Sequence, residues 1–106
     1  IFIDFTGETC TNCRWMETNI LVLPEVANIL DNYILIELFT DGGPRHKEYQ
    51  QMEIDRFGTA ALPFYVILSP ESEEIARFPG LTRNVDKFTD FLSSGLLSTE
   101  RLSSAD

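Results

Sequence analysis

The sequence has few cationic side chains. Eight Lys and Arg stand against 17 Asp and Glu in 106 residues, which with a single neutral His gives a net charge of −9. A surface this acidic repels phosphate backbones and anionic headgroups, so nucleic acid and anionic membrane surfaces are excluded as broad partners. Long apolar runs are also missing. The longest, over 60–68, contains Pro63 and falls well short of the roughly 20 residues a membrane-spanning helix needs. Cysteine occurs twice and histidine once, so a four-ligand zinc site built within the chain is disfavoured, and the lone His46 reads as a solvated surface residue. The chain opens Ile1-Phe2-Ile3-Asp4-Phe5 without an initiator Met or a basic leader, which reads as a piece of a longer polypeptide whose signal or anchor would lie outside it.

Aromatic residues are well supplied. Eight Phe, three Tyr and one Trp within 43% hydrophobic composition furnish one compact core, and the length is too short for two ordinary domains. One domain over 1–97 with a polar tail over 98–106 is the expected organisation.

Hydrophobic pattern and punctuation predict a strand over 1–5, then a polar loop leading into a helix with Cys13, Met16, Ile20 and Leu23 on its inner face. Pro24 begins a second helical stretch to Leu30, since proline suits a first helical position and disrupts later ones. The run Tyr-Ile-Leu-Ile-Glu-Leu-Phe over 33–39 reads as a central strand covered on both faces. A helix over 45–57 follows, closed by Gly58, although its apolar periodicity is imperfect. A buried strand over 64–68, a turn at Ser69-Pro70-Glu71-Ser72 and an alternating strand over 74–78 form a hairpin. Asn84 caps a last helix with the inner stripe Val85, Phe88, Phe91, Leu92 and Leu96. Strands alternating with helices need parallel crossovers and the hairpin adds antiparallel pairs, so the fold class is α/β, a mixed sheet with helices on both faces.

The chemistry concentrates at Cys10-Thr11-Asn12-Cys13, where the first strand meets the first helix. A C-x-x-C at a helix start reads as a redox pair, because free N–H groups and the macrodipole stabilise a thiolate there, below the ordinary cysteine pKa of about 8.5. Residues three apart on a helix lie about 5–6 Å apart at Cβ, within adjustment of disulfide geometry. Cys10 is the attacking thiol and Cys13 the resolving one. Asp4, polar within an apolar strand, and Glu17, one turn beyond Cys13, are candidates to accept the Cys13 proton. Plainer readings make Asp4 a hydrogen-bonded structural carboxylate, Glu17 a surface partner of Arg14, and Trp15 core or rim packing. A purely structural disulfide is disfavoured, because so small a loop removes little unfolded-state entropy. Copper(I) held by the two thiolates is the rival of a different class.

Ile3-Asp4-Phe5, Cys10-x-x-Cys13, Phe57-Gly58-x-x-x-Leu62-Pro63 and Gly80 resemble the thioredoxin superfamily in order and spacing. Asp4-Phe5-Thr6-Gly7, Asn12-Cys13-Arg14, Met16-Glu17, Phe57-Gly58-Thr59 and Pro63-Phe64-Tyr65-Val66 are similar, more narrowly, to the C-terminal domain of DsbD thiol:disulfide interchange proteins. The resemblance implies a thioredoxin-like three-layer fold without the family's first strand and helix, leaving a four-stranded sheet with an exposed edge. It also implies that Cys10 is the nucleophile and Cys13 the resolving thiol. Asp4 becomes the buried carboxylate below them, Glu17 a second acidic neighbour and Pro63 a cis residue. Thr11, Asn12, Leu62 and Pro63 are the residues expected to meet a partner, with the Leu62 backbone placed to pair with its extended segment. Thr9 and Thr11-Asn12 replace the Trp and Gly-Pro usual in thioredoxins, which argues against a general cytosolic thioredoxin. Glu37 stands where thioredoxins carry a Lys beside the buried Asp and would raise its pKa if both are buried. The implied function is a protein-disulfide reductase needing no cofactor or metal, on the periplasmic side of the envelope. It would draw electrons from the membrane portion of its own full-length protein and pass them to thiol partners. A free-standing thioredoxin-like reductase, with the cytoplasm as the alternative location, and a non-catalytic copper(I) or docking module are the alternatives.

Overall fold

In the computed structural model the backbone is described over residues 1–104 and the side chains over residues 1–96. Eight elements follow one another: β1 (Phe2–Thr6), α1 (Thr11–Asn19), α2 (Pro24–Leu30), β2 (Leu35–Phe39), α3 (His46–Phe57), β3 (Phe64–Leu68), β4 (Glu74–Pro79) and α4 (Val85–Ser104). The strands form one mixed sheet in the order β2-β1-β3-β4, with β1 parallel to β2 and the other pairs antiparallel. The segment expected as a polar tail, 98–106, enters α4 as far as Ser104; residues 105 and 106 and the side chains beyond 96 lie outside the described residues.

Period-two alternation on β1 and β3 sorts side chains into two cores, one on each side of the sheet. Phe2, Tyr65 and Ile67 join Met16 and Ile20 of α1, Val26 and Leu30 of α2, and Phe88, Phe91 and Leu92 of α4. Ile3, Phe5, Phe64, Val66 and Leu68 face the other way, with Phe57 of α3. There the rings of Phe5, Phe57 and Phe64 form a triangle with centroids 5.7–5.8 Å apart. Asp4 therefore points, by parity with Phe2, towards the α1 layer. That parity aims the one polar side chain between the apolar positions of β1 at the helix that carries the cysteines.

Local chemistry sets the helix ends as the sequence predicts. Pro24 opens α2, and Gly58 closes α3 in the left-handed region at φ 73°, where a side chain would be strained. Gly95 lies within α4 because the chain packs closely there: a Cβ would sit 2.5 Å from Tyr33 Oη and 2.6 Å from Ile67 Cδ1. Asn84 Oδ1 accepts the Lys87 backbone N–H at 3.2 Å, as an N-cap does. Asn84→Ala is expected to cost about 1 kcal/mol, read as a lower urea midpoint with an unchanged slope; an unmoved midpoint would show that the cap is idle.

The expectation for the second strand is overturned. The run over 33–39 is not a central strand covered on both faces. β2 is an edge strand with Leu35 57% and Ile36 38% exposed, and Ile34 just before it is 69% exposed. The central, fully buried strands are β1 and β3. Apolar composition signals an affinity for apolar surroundings, but which neighbour a strand receives is decided by sheet order, and no described strand lies outside β2. The four-stranded sheet with an exposed edge is the arrangement the family resemblance implied.

Candidate active site

Cys10 is itself the N-cap of α1. Its backbone is extended at φ −79° and ψ 100°, and its Sγ accepts the Cys13 N–H at 3.1 Å. The free amide that elsewhere meets a Ser or Asp oxygen meets sulfur here, the contact that favours negative charge on Cys10. The two cysteines form a disulfide across a Cα–Cα distance of 5.2 Å. Cys13 is 2% exposed, whereas Cys10 is half-buried and Thr11 and Asn12 are exposed. An incoming sulfur therefore meets Cys10 first.

The loop before Cys10 is pinned from the end of β2. Asp41 Oδ2 accepts the Thr9 N–H at 3.2 Å and also the Thr9 hydroxyl, and the Asp41 carbonyl accepts the Glu8 N–H at 3.1 Å. These hydrogen bonds hold the Asp41 carboxyl below its ordinary range. The Cys10 N–H in turn donates to Gly7 O at 3.2 Å. Gly7 sits in a tight place, since a Cβ would stand 3.1 Å from Asp41 Cβ and 3.2 Å from Leu62 Cδ1, and a side chain there would require these neighbours to give by a few tenths of an ångström. Leu62 thus packs over the turn that carries Cys10. The Leu62–Pro63 peptide is cis, as the resemblance implied, and the Pro63 carbonyl accepts the Gly80 N–H at 2.7 Å.

On the inner side of α1 three carboxylates converge. One oxygen each of Asp4, Glu17 and Glu37 lies within 4.8 Å of the others, graded from buried through half-buried to exposed. Parallel pairing sets Asp4 opposite Glu37, and the four-residue step from Cys13 brings Glu17 in from α1. Asp4 is 8% exposed and its Oδ1 has no hydrogen-bond partner among the described residues. Burial first, then the negative charges of Glu37 and Glu17, push its pKa up to about 7 against the opposing pull of Arg14. Arg14 Nε holds Glu17 at 3.0 Å, and Arg14 Nη2 donates to Thr6 Oγ1 at 2.9 Å. Glu17 is thus the partner of Arg14, as its plain reading has it, and at the same time one of the three clustered carboxylates. Tyr65, opposite Asp4 across β1 and β3, is raised by burial and by the Asp4 and Glu17 charges, so its phenol stays protonated.

A family model described as a thioredoxin-like domain matches residues 1–95. The chain belongs to the thioredoxin-like domain family. A thioredoxin of Thermus thermophilus superposes at TM-score 0.74 with 22% identity, over 92% of this chain and 74% of that one. The C-terminal domain of DsbD from Neisseria meningitidis superposes in its reduced form at TM-score 0.72 with 20% identity, over 90% of this chain and 79% of that one. Its oxidised form gives TM-score 0.69 with 19% identity, over 90% and 78%. No sequence among curated proteins matches.

As a thioredoxin-like domain with a closed C-x-x-C at a helix start, the chain carries the site of a thiol–disulfide oxidoreductase. Trp15 is half-buried against the core, with the Arg83 guanidinium 5.3 Å over its ring, which is rim packing. His46 is half-buried rather than solvated: it begins α3 with Nδ1 2.8 Å from Gly43 O. Sequence reasoning missed Asp41 and the anchoring role of Arg14. Their signals, an Asp just before a Gly-Gly turn and an Arg one residue after the motif, are too common to single out. Glu37 was noticed as a departure, but its effect on Asp4 does not require burial. An exposed carboxylate within 4.8 Å suffices.

Proposed function

We propose that this domain is a protein-disulfide reductase of the DsbD type, on the periplasmic side of the envelope, supplied with electrons by the membrane portion of its own full-length protein. The observation that carries the reading is the acidic floor of the site, Asp4, Glu17 and Glu37 within 4.8 Å of one another. Carboxylates disfavour a neighbouring thiolate and so withhold stabilisation from the reduced pair, which makes the dithiol a better electron donor. They act against the helix N-terminus, which favours the Cys10 thiolate.

In the reaction, the Cys10 thiolate attacks a partner disulfide, forming a new S–S bond while the partner's other sulfur leaves as thiolate. Cys13 then gives up its proton and attacks Cys10 Sγ, and the second partner sulfur departs. Two electrons pass to the partner, and the domain is left in the disulfide state seen here. Thr11 and Asn12, which are exposed, and the half-buried Leu62 are the surface offered to the partner chain, whereas the Pro63 side chain is fully buried and so presents no surface itself.

Equilibration with glutathione or dithiothreitol is expected to give a reduction potential near the thioredoxin value of about −270 mV. A value near the roughly −120 mV of strong periplasmic oxidants would overturn the assignment as a reductase. For the location and donor, Cys13→Ala expressed within the full-length protein should accumulate Cys10-linked complexes with envelope proteins. Adducts with cytosolic proteins alone would count against both.

A further inference from the structure

The carboxylates below the cysteines differ in their access to water, and that difference suggests a route. Asp4 on β1 is nine-tenths buried with Oδ1 unpartnered among the described residues, whereas Glu37, its register partner on the edge strand β2, is exposed. Both line one cleft of about 300 Å³, whose other walls include Phe2, Leu21, Leu30 and Leu35. Their nearest oxygens lie within 4.8 Å, less than the roughly 5.5 Å that one bridging water spans with two hydrogen bonds. Cys13 lies one turn before Glu17 on α1, and exposure rises from Cys13 at 2% through Asp4 at 8% to the exposed Glu37. Around Asp4 the charged and titratable groups are Arg14 and Glu17 from α1, Glu37 from β2 and Tyr65 from β3. Arg14 and Glu17 are tied to each other, the raised Tyr65 phenol keeps its proton, and Glu37 is the exposed carboxylate that lines the same cleft as Asp4, which makes it the group placed to pass a proton onward.

We propose that Glu37 is the outer relay of a proton path that carries the Cys13 proton from the Asp4 carboxyl to bulk water. In the resolving step the Cys13 S–H bond breaks and an O–H bond forms on Asp4, while the freed electron pair on Cys13 displaces the partner's sulfur from Cys10. Asp4 then returns to carboxylate by passing the proton to Glu37, which releases it to solvent. With a pKa of about 7, Asp4 can both take and return a proton near neutrality. The inference rests on the exchange reading above and deepens it.

The test is single-turnover oxidation of the reduced 106-residue chain by an aromatic disulfide that releases a coloured thiolate, at pH 7, fixed ionic strength and about 1 mM buffer. The first equivalent reports attack by Cys10 and the second reports resolution by Cys13. Glu37→Gln is expected to slow the second release about tenfold, less than the 10²–10⁴ of a directly placed acid or base, and to leave the first unchanged. Added imidazole should restore the rate, and Glu37→Asp should retain most of it. A second phase unaffected by Glu37→Gln, or slowed but indifferent to imidazole, overturns the relay and leaves exchange standing. No second release from the unsubstituted chain takes down the exchange reading, and this inference with it. Matching circular dichroism melts of the variants exclude a folding defect as the cause.

Discussion

Cys10→Ser should lose disulfide-reductase turnover by 10⁴-fold or more, on the order expected when the nucleophile of a unit acting as one is removed. Cys13→Ala should lose turnover as completely but fail differently, because Cys10 still attacks and nothing resolves the adduct. The asymmetry follows from exposure: Cys10 is the half-buried N-cap that a partner's sulfur can reach, and Cys13 is 2% exposed beneath it. Insulin precipitation would measure turnover, and mass spectrometry of the Cys13→Ala chain under non-reducing conditions would reveal the adduct. Stable adducts formed by Cys10→Ser through Cys13, with none through Cys10, would reverse the assigned roles.

A second large effect is expected far from the cysteines. Glu53 on α3 is 0% exposed, and neither carboxylate oxygen has a hydrogen-bond partner among the described residues. Burial alone raises its pKa from 4.5 to about 7. An acid raised in the folded state favours folding while it holds its proton, so this contribution is complete below pH 4.5 and lost as pH rises towards 7. The loss amounts to about 3 kcal/mol at 1.36 kcal/mol for each pKa unit, a large share of the 5–15 kcal/mol typical of a domain. Asp4, raised from 3.8 to about 7, adds a loss in the same direction and window. The chain should therefore be distinctly more stable at pH 5 than at pH 8. Glu53→Met, similar in volume and free of charge, is expected to raise Tm by about 10 °C at pH 8 and by much less at pH 5. Thermal melts of both chains at the two pH values check this. A Glu53→Met chain less stable at pH 8 would mean that the carboxylate makes a stabilising contact.

Glu53 also explains why the sequence reads poorly at α3. The helix buries Glu53 and Phe57 one turn apart, so one of its inward positions is filled by a residue that pattern reading counts as outward. The strand–helix junction, by contrast, is fully legible. Two cysteines three apart, after an apolar strand and at a helix start, are brought together by the local geometry of that start, Cys10 as the N-cap and Cys13 in the first turn, and Asp4 is buried because it alternates in step with Phe2. Glu17 reaches Asp4 because it lies four residues beyond Cys13 on α1.

The sequence by itself determined the elements, their caps and the redox pair, since helix periodicity, the proline at the start of α2, the glycine closing α3 and the Asn84 cap all act within a turn or two of chain. Tertiary structure alone decided that β2 lies at an edge, that Glu37 stands beside Asp4, that Asp41 pins the cysteine loop and that Glu53 is enclosed. Each of these depends on strand order, register or packing between segments distant along the chain, and such choices are made by the free energy of the assembled sheet rather than by local backbone preference.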